Sequence, residues 1–187
     1  MAKIITITGD LGSGKSTVSG LLCERLHYDY IYTGKIQREI ANRYNMTTLE
    51  LNQYAETHPE IDEEIDATFK SLNDSSDLIV DSRLAWFFIP KSFKVFLQTD
   101  LDVSVNRISG DKLRENEKYT SKEEAINNIV ARKESENKRY MELYGANCSD
   151  LSNFDLIIDT SFITPEEVAG RIISGYNKWL ISTSSYK

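Results

Sequence analysis

Residues 9–17, GDLGSGKST, constrain this chain more than any other stretch. They follow an apolar run, IITIT, and precede a segment with helical character, VSGLLCERL. Closely spaced glycines let a backbone curl until successive N–H groups point inward and form a nest for an anion. A helix that starts immediately afterwards adds its positive N-terminal end at the same place. Gly9, Gly14, Lys15 and Ser16 match the pattern G-x-x-x-x-G-K-[ST], the P-loop, in the strand–loop–helix context that the pattern demands. Lys15 supplies a point charge for β- and γ-phosphates, and the Ser16 hydroxyl is a ligand for Mg²⁺. Gly9, Asp10, Leu11, Gly12, Ser13, Gly14, Lys15, Ser16 and Thr17 are therefore expected to hold the triphosphate of a nucleotide, ATP, with Mg²⁺.

Such a loop needs a sheet behind it. Short β-rich runs recur at residues 3–8, 28–33, 77–81, 93–99 and 155–160. Most are almost continuously apolar, which suits strands covered on both faces in a parallel sheet. Helical stretches lie between them. Thr47 with Glu50 and Ser121 with Glu124 fit the capping box, and TPEE at 164–167 adds a proline at the first helical position. The alternation predicts an α/β fold with a doubly wound sheet. The polar stretch 109–121 has no strand signal and reads as a charged excursion.

The length of 187 residues suits one domain. A net charge of −7 argues against a nucleic-acid partner, which calls for a basic surface. A small anionic ligand in a local basic pocket remains compatible with it. No apolar run approaches the ~20 residues needed to span a bilayer. Cys23 and Cys148 are far apart and in no metal-binding spacing, as expected of free thiols in a reducing compartment. The N-terminus lacks a signal-peptide layout, and the expected location is the cytoplasm.

Positive charge for a transferring phosphoryl group is available in three places. In YTGKIQREI, Thr33 and Gly34 open a helix with Arg38 one turn in, a second anion pocket. In LIVDSRLAWFF, Asp81 ends a buried strand, where a carboxylate can hold a magnesium water, and Arg83 follows as a phosphate clamp. LAWFF itself reads as core. In ARKESENKRYMELYG, Arg132, Glu136 and Arg139 share one helix face, beside a core stripe of Ile126, Ile129 and Val130. The alternative for that face is a salt-bridged solvated helix. Arg107 and Arg114 are weaker candidates for adenine or phosphate contact. His27 and His58 sit at element boundaries and read as structural.

These segments occur in an order that resembles the cytidylate kinase family, in particular its short archaeal-type branch. ITGDLGSGKSTV, YTGKIQRE, DSRLAW, RKESENKRYMELYG and NFDLIIDTS carry the likeness, which extends from residue 3 to about residue 173. The resemblance implies a three-layer α/β/α fold with a five-stranded parallel sheet in the order 2-3-1-4-5. It also implies a helical acceptor-binding arm at roughly 33–76 and a lid at roughly 109–139. It places Thr33, Gly34 and Arg38 on the acceptor phosphate, Asp81 and Arg83 near metal and acceptor, and Arg132, Glu136 and Arg139 on phosphates or the acceptor nucleotide. Lys15, Arg83, Arg132 and Arg139 are the implied catalytic set, and Ser16 and Asp81 the metal set. The implied reaction is transfer of the ATP γ-phosphoryl to CMP or dCMP, with UMP as a further acceptor, by a monomer or weak homodimer that binds small-molecule nucleotides and neither nucleic acid nor membrane. Two features depart from the family pattern: Ser82 replaces a glycine in D/E-G-R, and Asp10 puts a negative charge inside the P-loop.

Chemistry bears on the acceptor independently. A nucleoside monophosphate carries its own nucleophile, since its phosphate has a second pKa of about 6. An alcohol acceptor instead requires a carboxylate base. Two other readings stay open on the sequence: a kinase of a nucleoside or small alcohol with Asp81 as base, and a non-catalytic nucleotide sensor.

Overall fold

A computed structural model describes residues 3–46, 48–55, 57–110 and 121–184. Five parallel strands, β1 (Ile4–Gly9), β2 (Asp29–Tyr32), β3 (Leu78–Asp81), β4 (Phe93–Gln98) and β5 (Leu156–Asp159), form one sheet in the order β2-β3-β1-β4-β5. The register aligns the carboxyl ends. Ile7 pairs with Asp81, Tyr32 with Asp81, Gly9 with Leu97 and Gln98 with Asp159. Everything that follows a strand therefore emerges along one edge, beside the P-loop.

Alternation along each strand divides the core. Ile5, Ile7, Ile79, Val95, Leu97 and Ile158 pack under α1 (Lys15–Leu26) and α8 (Pro165–Ser184) through Val18, Leu22, Val168, Ile172 and Tyr176. Ile4, Leu78, Val80 and Phe96 face the other way, under α2 (Thr33–Arg43), α4 (Pro59–Ser71) and α5 (Ala85–Phe88). That face also buries Thr6 and Thr8, whose hydroxyls pair with Ser92 Oγ at 3.0 Å and the Ser82 carbonyl at 2.8 Å. Buried hydroxyls need such partners. The short α3 (Thr48–Ala55) joins α2 and α4. A third, smaller cluster links α6 (Leu101–Gly110) to the start of α7 (Lys122–Tyr144) through Val105, Ile108, Ala125 and Ile129.

The expected caps formed where they are described. Ser121 Oγ accepts from the Glu124 amide at 3.1 Å. At Thr164 the bonds run both ways: the Thr164 amide donates to Glu167 Oε2 at 2.9 Å, and the Glu167 amide donates to Thr164 Oγ1 at 3.2 Å. Thr47 of the other expected box lies outside the described residues. β1 is as long as its apolar run but shifted one residue toward Gly9, and the other strands are a residue or two shorter than theirs, with Thr33 taken by the start of α2. Two core assignments need correction. Val130 is exposed on α7, since the stripe that meets α6 is Ala125 and Ile129. Within LAWFF, Leu84, Ala85, Trp86 and Phe88 are buried, but Phe87 is partly exposed against Tyr144. Among the described residues, no helix is long and apolar enough to cross a membrane.

Candidate active site

The P-loop is shaped by donors from outside it. Gly9 lies against β4 at φ 153°, Gly12 has φ 73° and Gly14 φ 83°, all in territory that favours glycine. Ser104 Oγ of α6 donates to the Leu11 carbonyl. Arg107 Nη1 donates to the Gly12 carbonyl at 3.2 Å, and Thr160 Oγ1, just after β5, donates to the Ser13 carbonyl at 3.1 Å. A trans peptide points its N–H opposite to its C=O. Pinning three successive carbonyls from the α6 and β5 side thus turns the following amides of Gly12, Ser13 and Gly14 away from that side, and the Ser13 amide donates to the Asp10 carbonyl at 3.3 Å. Gly14 is the N-cap of α1 and offers no side-chain cap, which leaves the helix's positive end to a ligand. Lys15 Nζ donates to the carbonyls of Gly9 at 2.9 Å and Asp10 at 2.7 Å, so its charge lies across the loop. Thr17 is exposed on the first turn of α1.

The Asp10 carboxylate is engaged on both oxygens: it accepts from the Thr99 amide at 3.2 Å and from Lys133 Nζ at 2.7 Å. Arg107 is committed to the same edge. Its guanidinium also donates to Thr160 Oγ1 at 3.3 Å, to the Thr160 carbonyl at 2.7 Å and to the Ser161 carbonyl at 3.4 Å. It shapes the loop from behind. Arg114 lies outside the described residues.

Asp81 sits where β3 ends beside β1, and Tyr30 donates its hydroxyl to Asp81 Oδ2 at 3.2 Å. Burial pushes the Asp81 carboxyl above its ordinary value, against the opposing pull of Lys15, Tyr30, Arg83 and the Ser16 hydroxyl. One carboxylate thus feels both Lys15 of the P-loop and Arg83 of the next loop. Ser16 and Asp81 present a hydroxyl and a buried carboxylate that gains from a nearby cation. Mg²⁺ takes such a set, one or two oxygen ligands completed by phosphates and water, instead of an all-protein cage. Among the described residues no group of three His, Cys, Asp or Glu side chains forms such a cage.

Helix α7 brings the remaining arginines. Glu136 sits between Arg132 Nε, at 3.0 Å, and Arg83 Nη2, at 3.2 Å. One carboxylate therefore serves two guanidiniums, and the group stays net positive. Glu136 Oε2 has no hydrogen bond despite its closeness to Arg83, and buried Arg139 Nε has none either. Arg139 Nη2 lies 3.8 Å from Asp62 Oδ1 on α4. Tyr140, buried beside Glu136, has its hydroxyl pKa pushed up to about 12. Cys148 is a free thiol that burial pushes up to about 11, so it is an inert wall residue.

Arg38 does not join this group. It is exposed on α2, donates to the Tyr32 hydroxyl and lies 5.3 Å over the Tyr32 ring. Thr33 Oγ1 reaches the Asp81 carbonyl at 3.3 Å, and Gly34 packs on the Tyr32 ring. Ser82 is buried, and its hydroxyl accepts from the Leu84 amide at 3.3 Å, which turns it back into its own loop.

Sequence reasoning missed four contributors. Ser104 and Thr160, which brace the P-loop, carry no motif. Asp62 and Asp66 are buried carboxylates at i and i+4 on α4, both raised by burial, and face Arg139 and Tyr144. Their signal was present: two acidic residues on the apolar stripe of Ile61, Ile65 and Phe69.

Residues 4–162 match the model of the cytidylate kinase-like family. The chain is 37% identical to a cytidylate kinase of Sulfolobus acidocaldarius over 172 residues, covering 90% of this chain and 91% of that one. It is 39% identical to a cytidylate kinase of Methanococcus maripaludis over 163 residues, covering 84% and 88%. Among solved structures, a shikimate kinase of Bacteroides thetaiotaomicron superposes with a TM-score of 0.65 at 17% identity, covering 91% of this chain and 96% of that one. A gluconokinase of Sinorhizobium meliloti does so at 0.62 and 13%, covering 99% and 97%. The last two likenesses are of fold.

Proposed function

Since the chain belongs to the cytidylate kinase-like family, we propose that it transfers the γ-phosphoryl group of ATP to the phosphate of CMP or dCMP, with UMP as a further acceptor. The observation that carries the reading is the Arg83–Glu136–Arg132 group at the carboxyl edge of the sheet, within electrostatic range of the carboxylate that also feels Lys15. A net positive cluster beside a P-loop, on a chain of charge −7, is a place for a second phosphate.

In this mechanism the amides of Gly12 and Gly14 and the end of α1 bind the β-phosphate, and Lys15 bridges β and γ. Ser16 and Asp81 would hold Mg²⁺, which would neutralise charge on the reacting phosphates. Arg83 orients the acceptor phosphate, and Arg38 swings from Tyr32 to join it. Arg132 and Arg139 on α7 stabilise charge spread over the transferring group. The acceptor oxyanion attacks the γ-phosphorus in line as the bond to the β-bridging oxygen breaks, so ADP leaves and a nucleoside diphosphate forms. The acceptor is already an anion at neutral pH, so no base is needed, and Asp81 is free to serve the metal. The helices of 33–76 act as the acceptor arm, and the region 109–139 as the lid that excludes water.

A coupled ADP-release assay across CMP, dCMP, UMP, AMP, GMP and dTMP, with cytidine as control, tests this. CMP and dCMP are expected to turn over and cytidine to be inert. Turnover of cytidine, or of no monophosphate, would overturn the proposal.

A further inference from the structure

Asp10 is an awkward residue for a phosphate-binding loop, and its placement suggests why it is tolerated. We propose that Asp10 and Lys133 form a strut that positions α7 over the P-loop. Asp10 is a rigid post. Its amide donates to the Leu97 carbonyl at 2.9 Å, its carbonyl accepts Lys15 Nζ at 2.7 Å, and the Thr99 amide fixes Oδ2 at 3.2 Å. Only Oδ1 is left to reach outward, and it meets Lys133 Nζ at 2.7 Å across 123 residues of sequence.

The burial pattern of α7 shows what that contact supports. Ala125 and Ile129 anchor the helix start on α6. Residues 130–135 are then all exposed, and partial burial resumes only at Glu136. Among the described residues, none of 130–135 joins a hydrophobic cluster, and Lys133 lies at the centre of that interval. Lys133 is next to Arg132 and one turn before Glu136, so the point where it is tied fixes where the Arg132–Glu136–Arg83 group lies relative to Lys15. The pair also neutralises the Asp10 charge beside the phosphates. Lys133 is thus a positioning residue: it acts through Arg132 and Glu136.

The inference rests on the kinase reading, and its test separates the two. Lys133→Ala, Asp10→Asn, the double variant and Lys133→Arg are compared with the wild-type chain. A displacement of catalytic groups by about 1 Å can cost as much as ~100-fold in rate. For a strut shared with the α6 packing, each single variant is expected to lose about 5- to 20-fold in kcat, with KM for ATP within about twofold of wild type. The double variant is expected to match the weaker single, and Lys133→Arg to retain at least half of the wild-type kcat. Independently of turnover, Asp10→Asn is expected to speed amide hydrogen exchange across 130–139. Full kcat in Asp10→Asn beside a damaged Lys133→Ala would assign Lys133 to direct phosphate contact and overturn the strut. Additive losses or unchanged exchange would overturn it as well. A wild-type chain that phosphorylates no monophosphate, yet shows the exchange change, would keep the strut and reject the kinase reading.

Discussion

Replacing Gly9 by alanine tests how the nucleotide loop is joined to the sheet. A Cβ built there falls 2.2 Å from the Leu97 carbonyl oxygen, and 2.8 and 2.9 Å from the Leu97 nitrogen and carbonyl carbon. All three are backbone atoms of β4, so no side chain can rotate away. The oxygen is also the acceptor of the Asp10 amide at 2.9 Å, and the methyl group would displace that bond. Relief requires β1 and β4 to part by about 1 Å at their carboxyl ends. Overpacking of this kind costs about 1–3 kcal/mol, the φ of 153° adds about 1–3 kcal/mol for a residue with a side chain, and the lost hydrogen bond adds about 1 kcal/mol. An effect of about 3–7 kcal/mol is expected. At roughly 2–4 °C per kcal/mol for a chain of this size, Tm falls by about 6–28 °C. Gly14→Ala is the control. Its φ of 83° is equally foreign to alanine, but nothing lies within 4 Å of the added Cβ, so only about 1–2 kcal/mol of left-handed strain applies. Thermal unfolding of the two variants beside wild type decides the matter. Gly9→Ala melting no lower than Gly14→Ala would refute the close packing of loop and sheet.

Asp81→Asn separates stability from activity. The raised carboxyl pKa means that the folded state holds its proton more tightly than the unfolded chain, so the stability linked to that proton is present at low pH and lost as pH rises through the folded value. The variant is therefore expected to melt higher than wild type at pH 7, with the gap closing as pH falls toward 3.8, while kcat drops about 10- to 100-fold through weaker metal support. Lower stability at pH 7 would contradict it. Arg38→Ala is expected to raise KM for CMP about tenfold and to leave KM for ATP within about twofold, because one charged hydrogen bond to phosphate is lost from one site only. An unchanged KM for CMP would remove Arg38 from the acceptor pocket.

Much of this architecture was legible because its signals are local. The P-loop announces itself in nine residues, and the five apolar runs mark the five strands. The strand order came from family resemblance, since parallel pairing leaves no mark on the sequence of either partner. Long-range hydrogen bonds were illegible. Nothing in the neighbourhood of Ser104, Arg107 or Thr160 says that these side chains hold the carbonyls of Leu11, Gly12 and Ser13. The same holds for Asp10: its sequence context suggests a stray charge near phosphate, and only the fold brings Lys133 to it. Helical spacing put Arg132 and Glu136 in contact correctly, yet it could not show that Arg83 would share that carboxylate. It also misjudged Val130, because the helix stripe is set by what α6 offers and not by apolarity alone.

The central claim is that two anion cradles, one of main-chain amides around Lys15 and one of guanidiniums, open onto a common space. Calorimetry with adenosine and cytidine joined through five phosphates measures this directly. One molecule is expected to bind per chain, more tightly than either nucleotide alone, with affinity lost on Lys15→Ala and on Arg83→Ala alike. Loss on Lys15→Ala together with wild-type affinity in Arg83→Ala would contradict it.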